Sequence, residues 1–401
     1  MRILFTTTAG LGHFHPLVPL AQAAVRAGHT VAFACPKALC PYVEASGFQA
    51  FSMIDLDSLL VERMAVMQRI MHLPTEESNK GMVSDMFIGV YARHALPELV
   101  ALCRRWEPDV IVREEGEFAG TIAAEHLDLP HAAVQVAYDS GIGSSIGGQR
   151  LDELRAAWGL PPDPTQAMLA RYLFFSFDPP SLLEPESVVP PTTHHLRAEV
   201  FDRSSAEALP DWLAEEHPRP LIYVTLGSEA PNIPTIFPGV YQTILAGLYH
   251  VGGTVVLTIG RHRDPVELGP QPDHVHVERY VPQSLLLPYC DLVTHGGHNT
   301  VLAALQFGLP LVITPLFADQ FHNAQRCVDL HVGQQIGGAD LLPEMVRRTV
   351  HAVLSDERYY NNAQRVQAEI RALPPIEHGV RLLEQLVINH QYTKSRGTLY
   401  G

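Results

Sequence analysis

Apolar and polar positions come in blocks from the first residue on. Arg2–Thr6 is a short apolar run, and Thr7–His15 is a loop containing Gly. Pro16–Ala27 carries apolar residues at helical spacing with Pro in its first turn, and Gly28 ends it. Thr30–Ala34 then returns as a strand. The same order recurs at Asp109–Val112 (strand), Glu117–Leu127 (helix) and His131–Val136 (strand). It starts again at Leu221–Leu226, with a helical stretch near Ile236–His250 and strands at Thr254–Ile259 and Asp291–Thr294. A helix from Asn299 and a strand at Leu311–Thr314 follow. Unbroken apolar strands separated by helices predict parallel sheets covered on both faces. Pro179–Pro220, rich in Pro and charge, reads as connecting chain. After Pro343 the pattern is helical, and Thr393–Gly401 reads as a loose tail.

The length of 401 residues suits two domains at about 150 residues each. An apolar fraction of 46% with 18% charged residues argues for a globular chain and against disorder. A net charge of −15 without a basic run argues against nucleic acid or an anionic membrane as partner. No uninterrupted apolar stretch reaches the ~18 residues of a membrane-spanning helix. The N-terminus turns polar too soon for a secretory leader. Five scattered cysteines without a C-x-x-C pair suit neither a disulfide framework nor a zinc site, and they fit a reducing cytoplasm.

In open parallel sheets ligands bind at the carboxyl ends of the strands, so the loops after each strand carry the chemistry. His295-Gly296-Gly297-His298-Asn299-Thr300 lies between an apolar strand and a helix. Small residues, hydrogen-bonding side chains and a helix N-terminus make an anion site suited to a diphosphate. The plainer reading is a tight turn with a capped helix. After the next strand, Asp319-Gln320 presents an acceptor and an amide, which match sugar hydroxyls. Upstream, Tyr280-Val281-Pro282-Gln283 offers a ring to stack on a base beside exposed backbone groups.

The run Tyr280–Gln283, His295–Thr300, Gly308–Pro315 and Asp319–Ala324 resembles the signature of the nucleotide-sugar-dependent family 1 glycosyltransferases. The likeness is greatest to actinomycete enzymes that glycosylate antibiotics and other secondary metabolites. Gly12-His13-Phe14-His15-Pro16 also matches that family's G-H-x-x-P loop. The resemblance implies an α/β fold of the GT-B type, two Rossmann-like domains with parallel sheets facing a central cleft. On that basis residues 1–200 form an acceptor-binding domain, 201–219 a linker, and 220–375 a donor-binding domain. The helix and tail of 376–401 are expected to pack back on the first domain.

The resemblance further implies inverting transfer of a sugar from a nucleotide diphosphate to a hydroxyl, with His13 as general base. An imidazole is largely neutral at pH 7 and can accept that proton. Glu114 stands where the family carries an acid, often Asp, beside this histidine. Glu114, Glu115 and Glu117 can equally be read as a solvated helix start. By resemblance, His295, Gly297, Asn299 and Thr300 hold the diphosphate, Asp319 and Gln320 the sugar, and Gly227 and Ser228 line the same pocket. The role of His298 stays open. Ala303 stands where many users of UDP-sugars carry a Glu for the ribose hydroxyls, which points to a dTDP-deoxysugar as co-substrate and no permanently bound cofactor. The expected partners are that nucleotide sugar and a hydrophobic natural-product aglycone, and a homodimer is compatible with the sequence. A nucleotide-sugar 2-epimerase of the same fold, or a catalytically silent ligand-binding relative, are the alternatives.

Leu60, Met64, Met67 and Met71 make one helical stripe. It reads either as a core face or as an adaptable apolar wall for the acceptor. Tyr138 opens a Gly- and Ser-rich segment and joins the acceptor candidates. Asp55-Leu56-Asp57 is a D-x-D, but a helix start gives both carboxylates a role. No third ligand accompanies His13-x-His15 or His194-His195, so no metal is expected.

Overall fold

The computed structural model describes residues 1–137, 147–184, 189–197, 199–202, 207–214 and 217–399. The chain forms two compact units. One takes Met1–Phe177, the strand Thr193–His195 and the closing helix Ile376–Leu399. The other takes residues 178–184 and Val200–Leu373.

Among the described residues the first unit has a parallel seven-stranded sheet, ordered β3-β2-β1-β4-β5-β6-β7. Its strands are β1 (Arg2–Thr6), β2 (Thr30–Pro36), β3 (Gln49–Ile54), β4 (Val110–Glu114), β5 (His131–Val134), β6 (Leu173–Ser176) and β7 (Thr193–His195). The second unit has a six-stranded sheet, ordered β10-β9-β8-β11-β12-β13. Those strands are β8 (Leu221–Thr225), β9 (Thr254–Thr258), β10 (Val275–Glu278), β11 (Leu292–Thr294), β12 (Leu311–Ile313) and β13 (Gly333–Gln335). Two parallel sheets, each fed by helical crossovers, make this an α/β fold.

The pairing decides which loops meet. β1 runs parallel to β4 with Thr6 opposite Arg113, so the loops after them open side by side. β8 runs beside β11 with Val224 opposite Thr294, and β11 beside β12 with Thr294 opposite Val312. The three loops that carry Gly227, His295 and Asp319 therefore leave neighbouring strands at one edge.

Two expectations need correcting. β7 lies inside the stretch read as connecting chain, where Thr-His-His is too polar and short to signal an edge strand. The tail expected from Thr393 is helical to Leu399, since no proline interrupts the closing helix. That helix packs against the helix Val18–Arg26, and Gly379 admits Leu20, Phe175 and Leu196 so closely that a Cβ would lie 2.8 Å from Leu196. The helical run Thr75–Trp106 is, by length and composition, long and apolar enough to cross a membrane, though its apolar residues are not consecutive. Within the first unit 56% of its most apolar window is buried, and Leu96, Leu99 and Val100 belong to the core around β1 and β4.

Candidate active site

His13 lies in a short helix, Leu11–Phe14, that begins directly after Gly10, whose φ of +107° only glycine adopts without strain. Its Nδ1 is 3.1 Å from Oε1 of Glu114, the last residue of β4. The His13 side chain is 28% exposed while that of Glu114 is wholly buried. The edge of the Phe87 ring packs against the imidazole. Glu114 Oε1 also accepts from the Thr8 amide at 3.1 Å and the Thr8 hydroxyl at 2.7 Å. Its other oxygen accepts from the Gly116 amide. Burial opposes ionisation of Glu114, but His13, Thr8 and Gly116 together hold its carboxyl below its ordinary value. The arrangement can do one thing well. A carboxylate at Nδ1 fixes that nitrogen as the donor and leaves the basic lone pair of the neutral ring on Nε2.

The reading of Glu114, Glu115 and Glu117 as a solvated helix start is overturned, because all three are buried. Glu115 accepts from the amides of Val136 and Ala137. Glu117 accepts from Ala119 at 2.7 Å, Gly120 at 2.8 Å and the Thr6 hydroxyl. Burial raises the Glu117 carboxyl to about 6, with the bonds from Thr6 and Gly120 pulling the other way. Arg113 is fully buried beneath them. Its guanidinium donates to the carbonyls of Glu114 at 3.1 Å, Glu115 at 2.7 Å and Leu169 at 2.8 Å. A buried cation thus braces the turn that presents Glu114.

The second unit gathers most of the expected donor residues. The helix His298–Gln306 starts with Gly297 at its N-cap, so no side chain caps its first-turn amides. His295 is 8% exposed, and its Nδ1 has no hydrogen-bond partner among the described residues. Burial pushes its imidazole down to about 4, against a hydrogen bond with the Leu226 backbone. The ring lies between Gly227 and Gly297. A Cβ on Gly227 would lie 2.9 Å from His295 Nε2, and one on Gly297 would lie 2.7 Å from Cε1. Gly227 also has a φ of +82°. Gln283 Nε2 donates to the Thr300 hydroxyl at 3.4 Å, which ties the Tyr280–Gln283 stretch to this helix. Asn299 is half-buried, Val281 is buried and Ser228 is exposed.

Two donor residues have further partners in the second unit. Gln320 is 4% exposed and its Oε1 accepts from the Leu316 amide at 2.8 Å, so its carbonyl end is committed locally. The Tyr280 ring carries the Arg261 guanidinium 3.6 Å above its centroid, and its hydroxyl donates to the Asp202 carbonyl. Arg261 is in turn paired with Glu207 at 2.6 Å. One face of the ring is thus covered, beside a cavity of about 590 Å³ lined by Glu207, Arg261, Glu278 and Pro282. Asn323, which sequence reasoning passed over, donates to the Gly296 carbonyl at 2.7 Å and to Asp319 at 3.0 Å. Its signal was the four-residue spacing from Asp319, one helical turn.

Met64, Met67 and Met71 are 52%, 38% and 62% exposed, which overturns the core reading of that stripe. Val66 and Ile70 supply the buried face of the helix Leu60–Ile70. Tyr138 lies outside the described residues. Asp55 pairs with Lys37 at 2.8 Å and accepts from the Asp57 amide at 3.2 Å. Among the described residues no three His, Cys, Asp or Glu side chains cluster as a metal site would require.

Family models for the erythromycin biosynthesis protein CIII-like N-terminal and C-terminal domains match residues 22–227 and 242–386. The chain is 31% identical over 339 residues to L-demethylnoviosyl transferase of Streptomyces niveus, spanning 83% of this chain and 84% of that one. The glycosyltransferase SnogD from Streptomyces nogalater superposes with a TM-score of 0.76 at 27% identity, covering 96% of this chain and 99% of that one. SsfS6 of Streptomyces sp. SF2575, a glycosyltransferase complexed with thymidine diphosphate, superposes with a TM-score of 0.74 at 25% identity and the same coverage.

Proposed function

The chain belongs to the erythromycin biosynthesis protein CIII-like family, GT-B glycosyltransferases of actinomycete antibiotic pathways, and from that membership we propose that it moves a deoxysugar from dTDP to a hydroxyl of a hydrophobic natural-product aglycone, inverting the anomeric centre. The observation that carries this reading is the His13–Glu114 pair at the carboxyl edge of β1 and β4. His13 Nε2 takes the proton of the acceptor hydroxyl while that oxygen bonds to the anomeric carbon. The bond from that carbon to the diphosphate oxygen breaks, and the leaving dTDP carries away the electron pair. One displacement from the side opposite the leaving group inverts the centre.

The leaving diphosphate is held by the first-turn amides of His298–Gln306 with His295, Asn299 and Thr300, and Asp319 holds the sugar. Helix amides and neutral donors meet the diphosphate charge, so transfer proceeds without a metal. Ala303, buried on that helix, offers no acceptor for a ribose 2′-hydroxyl. SsfS6 with its bound thymidine diphosphate supports the same choice of nucleotide. The exposed Met64, Met67 and Met71 suit an apolar acceptor.

The reading is tested by calorimetric titration together with a mass-spectrometric screen of dTDP- and UDP-sugars against aglycones in excess EDTA. We expect dTDP to bind at least about threefold tighter than UDP, and glycoside to form undiminished by EDTA. Equal or tighter binding of UDP overturns the choice of nucleotide, and loss of turnover in EDTA overturns the metal-free mechanism.

Gly297 allows a separate check on the donor loop. Its φ of −71° and ψ of 140° suit any residue, so Gly297→Ala brings no backbone strain. The new methyl must instead displace the His295 ring. We expect dTDP affinity to fall about tenfold or more with the thermal unfolding midpoint little changed. Unaltered affinity would show that the His295 position does not matter for the diphosphate.

A further inference from the structure

Residues 178–184 follow β6 of the first sheet directly in sequence, yet they belong to the second unit. Three of its helices hold them there. His298 Nε2, in the first turn of His298–Gln306, is 3.2 Å from Asp178 Oδ1, and the two side chains are 3% and 0% exposed. Arg326, on the helix Gln320–Asp329, donates from Nε to the Leu182 carbonyl at 2.9 Å and from Nη2 to the Ser181 carbonyl at 2.6 Å. Glu369, on the helix Glu357–Ala372, accepts from the Ser181 amide at 3.1 Å.

We propose that this segment is a strap that positions the donor loops, with Asp178 holding His298 at the diphosphate end and Arg326 holding the helix behind Asp319. The inference rests on the reading of His295–Thr300 and Asp319 as the donor site. Its physical basis is that a wholly buried carboxylate needs a partner, and His298 meets it where helix amides also favour negative charge. The contact fixes the backbone of the first helical turn, whose amides face the diphosphate. Arg326 spans the other end of the strap with two charge-assisted bonds, so the two donor helices are tied through one short piece of chain. Asp178, Arg326 and His298 are thus positioning residues. Nothing in the linear pattern around Phe177-Asp178-Pro179 announces the role, because its partner is 120 residues away.

The test compares dTDP binding by calorimetry with the KM values of donor and acceptor, in the full chain. Asp178→Ala is expected to raise the dTDP Kd and the donor KM about tenfold, with the acceptor KM changed less than about twofold. Asp178→Asn keeps an acceptor oxygen for His298 and is expected to restore donor binding to within about threefold. An Asp178→Ala protein with wild-type unfolding and wild-type dTDP affinity overturns the proposal, as does an equal loss for donor and acceptor. Should Asp178→Ala fail to fold, Arg326→Gln cuts the strap from its accessible end, and unchanged dTDP affinity there overturns it equally. If wild type itself binds no dTDP, the donor reading fails. If wild type binds and the variants match it, only the strap fails.

Discussion

Replacing His13 by Ala is expected to lower transfer by about 10²–10⁴-fold, the range in which a positioned general base contributes. An acceptor hydroxyl is a weak nucleophile while protonated, so loss of the base falls on the chemical step. His13 belongs to the first unit, whereas the expected diphosphate ligands belong to the second. Dissociation of dTDP, measured by calorimetry, should therefore stay within about twofold of wild type. The acceptor KM should change modestly, because the Phe87 edge and the buried network under Glu114 survive the truncation. A drop in kcat with the donor Kd held constant is the pattern of a lost transition-state interaction. Full activity in the variant would remove His13 from the mechanism. A parallel loss of dTDP affinity would mean that the residue acts on the donor and not on the acceptor proton.

The parts of this site that are legible in the linear pattern are those whose partners lie nearby along the chain, whereas the pairing of Glu114 with His13 comes only through the family resemblance. β1 was plain as an apolar run, and the loops after β1 and β11 were plain because Gly and His follow such runs immediately. β3 was not, since Gln49-Ala50-Phe51-Ser52-Met53-Ile54 sits at a sheet edge with much of its length half-exposed and carries no strong pattern. The methionines show the limit of periodicity. Met64, Met67 and Met71 share one helical face, but Val66 and Ile70 share another, and only packing against Met86 and Val90 decides which is buried. Glu114, Glu115 and Glu117 can be read from sequence equally as a solvated helix start, for the same reason. Their burial depends on Thr6 and Thr8, more than a hundred residues earlier in the chain, and on an arginine folded beneath the turn. Asp178 acts through a partner 120 residues away and Asn323 reaches Gly296 27 residues away, contacts that no local pattern encodes, although the spacing of Asn323 from Asp319 is local.

Glu114→Gln is expected to reduce kcat by on the order of 10²-fold or more, since an acid that orients a catalytic histidine fixes its tautomer as well as its charge. The substitution preserves size in a site that has no room to relax. Oε1 of the native side chain receives Thr8 twice and lies beside His13 Nδ1, while Oε2 receives the Gly116 amide. The new amide group can satisfy only one of these oxygen positions as an acceptor. If its nitrogen turns to His13, it donates to Nδ1 and moves the imidazole proton to Nε2, the nitrogen that must stay basic. If its nitrogen turns to Gly116, two donors face each other in a buried turn. The pH dependence follows from the native carboxyl, which lies below its ordinary value because His13, Thr8 and Gly116 outweigh burial. The sign is that of a depressed acid. Its stabilising contribution is complete above the ordinary carboxyl value of about 4.5 and is lost as pH falls through the lower folded value. At neutral pH Glu114 is therefore an anion, and its attraction favours the imidazolium formed when His13 takes the acceptor proton. Removing that charge weakens proton capture, so the acidic limb of kcat/KM against pH should move to lower pH as the plateau falls. Glu114→Asp keeps the charge with a shorter reach and should retain the native limb at reduced kcat. A Gln variant with native kcat and an unmoved limb would show that Glu114 holds the turn and does not serve His13.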